Sequence, residues 1–168
     1  MIEMQVMGVA LDTKTGAPIV VLSDRESRRA LPIWIGTAEA SAIIRIMENM
    51  VSQRPMTHDL ICNVFETLEY EVEKIEINDL NDGTYFANIY ISDGDNTHII
   101  DSRPSDAIAI ALKAKCPIYI TANVIADGTI STDQSRDEIE AEEFKNFVRD
   151  LKPSDFQKLI DNNGESNQ

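Results

Sequence analysis

Residues 84–115, TYFANIYISDGDNTHIIDSRPSDAIAIALKAK, carry the reading of the fold. Thr84–Ile91 and Thr97–Ile100 are rich in aromatic and β-branched side chains and read as strands. Asp93-Gly94-Asp95 between them is a turn signal, because Gly tolerates unusual backbone angles and Asp bonds its own main chain. Pro104 breaks the second strand, Ser105 is a suitable helix cap, and Asp106–Lys115 is a strongly helical run that stops before Pro117. Strands grouped together and then followed by a helix indicate an α+β domain rather than a doubly wound parallel sheet.

The same grammar extends outward. Tyr70–Ile77, ended by the Asn81-Asp82-Gly83 turn, adds a third strand to this meander. Upstream, residues 2–11, Ile19–Leu22 and Ala30–Ile35 read as another meander, with turns at Thr13–Pro18 and Ser23–Arg29. Trp34, between Ile33 and Ile35, is expected in the core. Two helices separate the meanders. The first is capped by Thr37 and runs over 38–50, with Ala40, Ile43, Ile44 and Met47 on one face. The second starts at Thr57 and is expected to bury Leu60, Ile61, Val64, Phe65 and Leu68. Ile118–Ile120 reads as one more short strand. The expected fold is a single domain of antiparallel or mixed sheet meanders with helices packed against them. Residues 1–135 form that domain, 136–161 an acidic helical extension, and 162–168 a disordered tail.

Bulk properties narrow the function. No apolar run approaches the roughly 20 residues of a membrane helix, and residues 1–11 lack the pattern of a signal peptide. A cytoplasmic protein without membrane contact is expected. Cys62 and Cys116 fall in apolar surroundings on the expected helices and read as small buried thiols, not as a disulfide framework. The net charge of −14 argues against a broad phosphate-binding surface. Residues 1–55 hold as many basic as acidic side chains, however, so a local cationic groove remains compatible with the total.

Three polar clusters sit at element ends. In Arg54-Pro55-Met56-Thr57-His58-Asp59, Arg54 is suited to clamp a phosphate, His58 to transfer a proton near neutral pH, and Asp59 to orient that imidazole or bind a metal. Structurally, the same residues read as a Thr57 cap, a dipole-complementing Asp59 and an Arg54 paired with a surface acid. In Asp101-Ser102-Arg103-Pro104-Ser105-Asp106, two acids bracket an arginine where oxygen ligands for Mg2+ or Mn2+, or a phosphate clamp, would converge. The plainer alternative is that Arg103 bridges Asp101 and Asp106 below a Ser105 cap. Glu39, after Gly36-Thr37-Ala38, offers a third carboxylate or simply complements the helix dipole. His98 reads as a surface or cross-strand residue.

Taken together, Leu31-Pro32-Ile33-Trp34-Ile35-Gly36 with Glu39-Ala40, Arg54-Pro55 with Thr57-His58-Asp59-Leu60, and Asp101-Ser102-Arg103-Pro104-Ser105-Asp106-Ala107-Ile108-Ala109 resemble the bifunctional-nuclease family of bacteria and plants over roughly residues 3–125. That resemblance implies a cytosolic α+β hydrolase that acts as RNase and DNase and often self-associates, a dimer being favoured.

The expected activity is therefore cleavage of phosphodiester bonds with low sequence selectivity. Arg54 and Arg103 hold phosphate oxygens, Asp101, Asp106 and Glu39 hold a divalent cation, and His58, Asp59 and Asp101 do the proton and water chemistry. The alternative is a non-catalytic domain that binds an anion, a nucleotide or a protein. A third reading makes the clusters purely architectural, as capped helices and ion pairs at a subunit interface.

Overall fold

A computed structural model describes residues 1–131, together with Asn146. The extension and tail expected beyond residue 135 otherwise lie outside the described residues. The elements are β1 (Ile2–Leu11), β2 (Pro18–Asp24), β3 (Arg29–Trp34), α1 (Thr37–Met47), α2 (Thr57–Thr67), β4 (Glu71–Asn81), β5 (Thr84–Ser92), β6 (Thr97–Ser102), α3 (Pro104–Ala114), β7 (Ile118–Ile120), α4 (Ala122–Gly128) and β8 (Ile130–Ser131).

Both meanders form as expected, antiparallel throughout: β1-β2-β3 and β4-β5-β6. They join into one mixed sheet of order β6-β5-β4-β7-β1-β2-β3-β8. The joint is the three-residue strand β7, parallel to β4 through Ile75↔Ile118 and antiparallel to β1 through Ile2↔Ile120. Ile118 and Ile120 are buried on the helix-bearing face with Ile75 and Ile77, so the core continues across the seam. The sheet curls strongly. Tyr85 of β5 and Leu31 of β3, far apart in strand order, both reach the Cβ direction of Gly128 at the end of α4.

Helix α3 explains its own composition. It lies over β4 and β5 and is flanked by α1 and α2. Ala107, Ile108, Ala109, Ile110 and Ala111 are consequently all buried. A helix covered on several sides needs apolar residues nearly all round, and its alanines let the neighbours approach closely. Lys115 ends it in the left-handed conformation, φ 58°.

Four expectations are corrected. Trp34 is 56% exposed, because it ends β3 and donates its indole N–H to Asp12 Oδ2 at 3.1 Å instead of entering the core. Leu60 and Val64 of α2 and its C-cap Leu68 form an exposed stripe, and of the five expected residues only Ile61 and Phe65 pack, with Cys62, against the main core. The helix touches α3 with one side only, so half of its apolar positions have nothing to lie on. Cys116 falls just after α3 rather than on it, and both thiols are half-buried. The helix N-caps fall earlier than expected: Gly36 and Met56 each stand one residue before Thr37 and Thr57, and Arg103 two residues before Ser105. At α3 the reason is Pro104, whose fixed φ suits the first helical position. The missed elements, α4 and β8, are short and weakly patterned.

Candidate active site

The N-termini of α1, α2 and α3 converge on one hollow of about 280 Å3. Glu39 enters from α1, Thr57 and His58 from α2, and Arg103, Ser105 and Asp106 from α3. The histidine-bearing helix start and the arginine corner, separated by some forty residues of chain, thus share one solvent-open cavity. The three N-caps are Gly, Met and Arg, and none has a side-chain oxygen to accept from the first-turn N–H groups. Three helix dipoles therefore present their positive ends to the same region, with first-turn donors left to other partners.

Arg103 organises the carboxylates. Its Nε and Nη2 donate to Asp106 Oδ2 and Oδ1 at 2.8 and 3.1 Å, and its Nη1 donates to Glu39 Oε1 at 2.9 Å. The sequence had suggested Asp101 as the second partner; the fold substitutes Glu39, 64 residues away. Glu39 folds back over Gly36, so a Cβ there would push its carboxylate aside, away from its present position against Arg103. The three donors used leave one N–H on each terminal nitrogen of Arg103 unengaged within this network, and the side chain is 65% exposed.

His58 is buried at the edge of the hollow. Burial holds its pKa below the ordinary 6.5, with Lys113 and Arg45 pushing the same way and Asp59 opposing. Its Nε2 is 3.6 Å from Asp59 Oδ1, a charge contact longer than a hydrogen bond. Asp59 turns to other partners. Its Oδ2 accepts the Met56 N–H at 2.9 Å, closing the first turn of α2, and its Oδ1 is 2.8 Å from Lys113 Nζ. The lysine bond is the leading reason that the Asp59 pKa lies below the ordinary 3.8.

The remaining expected residues lie elsewhere. Asp101 is an exposed residue of the edge strand β6, paired in register with Asn88, and lines neither this hollow nor its neighbour beside Lys113. Arg54 is exposed in the loop before α2 and also lines neither. Among the described residues no three His, Cys, Asp or Glu side chains are gathered so as to hold a metal ion. Between Glu39 and Asp106 the cationic partner is already arginine. The donor set therefore does not fit the trio Asp101, Asp106 and Glu39 proposed for a resident Mg2+ or Mn2+. Two contributors escaped sequence reading. Ser105, expected as a cap, is buried and lines the hollow. Lys113 follows Asp106 by seven residues, two helical turns along one face of α3, and that spacing was the available signal.

A family model for the bifunctional nuclease domain matches residues 20–133, which include every residue of this hollow. The chain belongs to the bifunctional nuclease domain family. It is 35% identical to an uncharacterized protein of Mycobacterium tuberculosis, over 92% of this chain and 97% of that protein. It is 30% identical to bifunctional nuclease 2 of Oryza sativa over 71% of this chain, but only 38% of the plant protein. Bifunctional nuclease 2 of Arabidopsis thaliana is 31% identical over 54% of this chain and 28% of its own length. The chain is thus matched nearly end to end by a bacterial relative, and its matches to these plant proteins span under two fifths of their length. Among the described residues no helix is long and apolar enough to cross a membrane.

Proposed function

We propose that this protein hydrolyses phosphodiester bonds of RNA or DNA in the hollow where α1, α2 and α3 begin. The observation that carries this reading is the convergence of three helix N-termini, capped without side-chain oxygens, around Arg103 and His58. In this reading the two spare N–H groups of Arg103 take non-bridging phosphate oxygens, with Glu39 and Asp106 holding the guanidinium in place. His58, neutral near pH 7, removes a proton from the attacking water as the new P–O bond forms. The leaving oxygen departs with the electrons of the broken P–O bond and is protonated by solvent. Charge that develops on the phosphorus oxygens meets a guanidinium and helix-end N–H groups already oriented toward it. Asp59 is a positioning residue, tied to Lys113. The reading routes no step through a metal ion, because the donor set beside Arg103 does not fit one.

The test is hydrolysis of labelled single-stranded RNA and DNA by wild type and His58→Ala, with and without chelator. His58→Ala is expected to lower kcat/KM by about 100-fold. The wild-type profile is expected to lose activity on the acid side of 6.5, where the lowered pKa of His58 places its protonation. Chelator is expected to change the rate by less than about threefold. Undiminished cleavage by His58→Ala, or complete loss on chelation, overturns the mechanism. The second reading is an anion-binding regulatory domain, favoured by the pairing of Arg103 with two carboxylates in the free protein. It predicts binding without turnover.

A further inference from the structure

On the other side of His58 lies a second hollow, of about 500 Å3, within the range of small-molecule sites. It shares Met56 and His58 with the first. Its charge is opposite to that of the whole molecule. Arg45, Lys113 and Lys115 line it against one carboxylate, Asp59, which Lys113 already neutralises. The chain as a whole carries −14, so three cations gathered in one concavity are not the average of this surface.

Two details point to a ligand. Arg45 Nη2 donates to Ser52 Oγ at 3.2 Å, yet its Nε is buried with no hydrogen-bond partner among the described residues. A buried cationic donor left unsatisfied is costly unless something accepts from it. Beside the cations, Met50 and Val51 stand 40% and 93% exposed, an apolar rim of a kind that suits a nucleobase face. Cations for a phosphate and apolar side chains for a base, lining one hollow, suit one nucleotide.

We propose that this second hollow is a phosphate subsite for the nucleotide next to the scissile bond, and that the substrate is a single strand. The proposal deepens the nuclease reading and rests on it for the position of the scissile bond. A strand must bend around one imidazole to place neighbouring phosphates in two adjoining hollows. An unpaired strand bends that sharply, whereas a duplex is stiff over about 150 base pairs. Arg45 and Lys115 then contact phosphate and contribute affinity, not chemistry.

The test is fluorescence anisotropy of a labelled single-stranded hexanucleotide, and of its duplex, with wild type, Lys115→Glu and Arg45→Gln. Thermal melting of each variant checks the fold, and Lys115→Glu, at an exposed position after α3, guards against loss of folding in Arg45→Gln. Each substitution is expected to weaken single-strand binding about tenfold. Each is also expected to flatten the dependence of log affinity on log salt by about 0.7. Unchanged affinity and salt dependence in both variants overturn the subsite, even if wild type cleaves. Equal binding of the duplex overturns the single-strand assignment. Binding that depends on Lys115 and Arg45 without any turnover by wild type keeps the subsite and removes the nuclease reading.

Discussion

Lys113 Nζ lies 2.8 Å from Asp59 Oδ1 and ties the last turn of α3 to the first turn of α2. The contact fixes the wall between the two hollows, since Asp59 also holds the Met56 N–H and stands beside His58. It also keeps Asp59 ionised, which leaves the neighbouring imidazole as the proton carrier of the pair.

That contact has an acid signature. The folded pKa of Asp59 lies below its ordinary value of 3.8, so the unfolded chain binds the proton more tightly. The stabilisation is present above 3.8 and is lost as pH falls through the lower folded value. Wild type is therefore expected to lose stability more steeply than Asp59→Asn below about pH 4. Urea unfolding midpoints from about pH 6 to pH 3 measure this. Parallel acid limbs for the two proteins exclude it.

Arg103 and Asp101 are expected to separate cleanly. Arg103→Ala removes the phosphate clamp and is expected to lower kcat/KM by about 100-fold or more. Arg103→Lys keeps the charge but loses the fork and is expected to recover only part of the rate. The Arg103 pairs are largely exposed, so Arg103→Ala is expected to shift stability by less than about 1 kcal/mol. Asp101→Ala, outside both hollows, is expected to cleave within about threefold of wild type. A large rate loss in Asp101→Ala, with wild-type melting, returns that residue to the reaction centre.

The curl of the sheet is tested at Gly128. A Cβ there would stand 2.8 Å from the Tyr85 hydroxyl and 3.2 Å from Leu31 Cδ1. Gly128→Ala is expected to destabilise by about 1–3 kcal/mol, the usual cost of overpacking. Adding Tyr85→Phe removes the nearer atom and is expected to recover part of the loss, a coupling that a double-mutant cycle reads directly. Strict additivity of the two substitutions contradicts the contact.

Local signals were legible where one short stretch decides the outcome. The Asp93-Gly94-Asp95 hairpin, the Pro104 break and the run 106–114 each depend on neighbouring residues alone, and each forms as expected. The Ser105 cap gave way to Arg103 because Pro104 suits the first helical position; the expected burial of α2 and Trp34 failed because burial depends on what the rest of the chain places opposite. Glu39 and Arg103 illustrate the same limit. Each looked like a local dipole partner or a local bridge, and no pattern along the chain announces a contact spanning 64 residues.

Composition and local grammar by themselves determined an α+β chain of two strand meanders with helices between and after, and the three polar clusters at helix starts. Hydrophobic period, turn chemistry and proline placement act within a few residues, so the linear order suffices to read them. Tertiary structure alone decided that β7 fuses the meanders into one sheet, that three helix N-termini meet in one hollow, and that Arg103 takes Glu39 rather than Asp101. Those outcomes follow from the packing of α1, α2 and α3 on the curled sheet, which places side chains by position in space, not by distance along the chain.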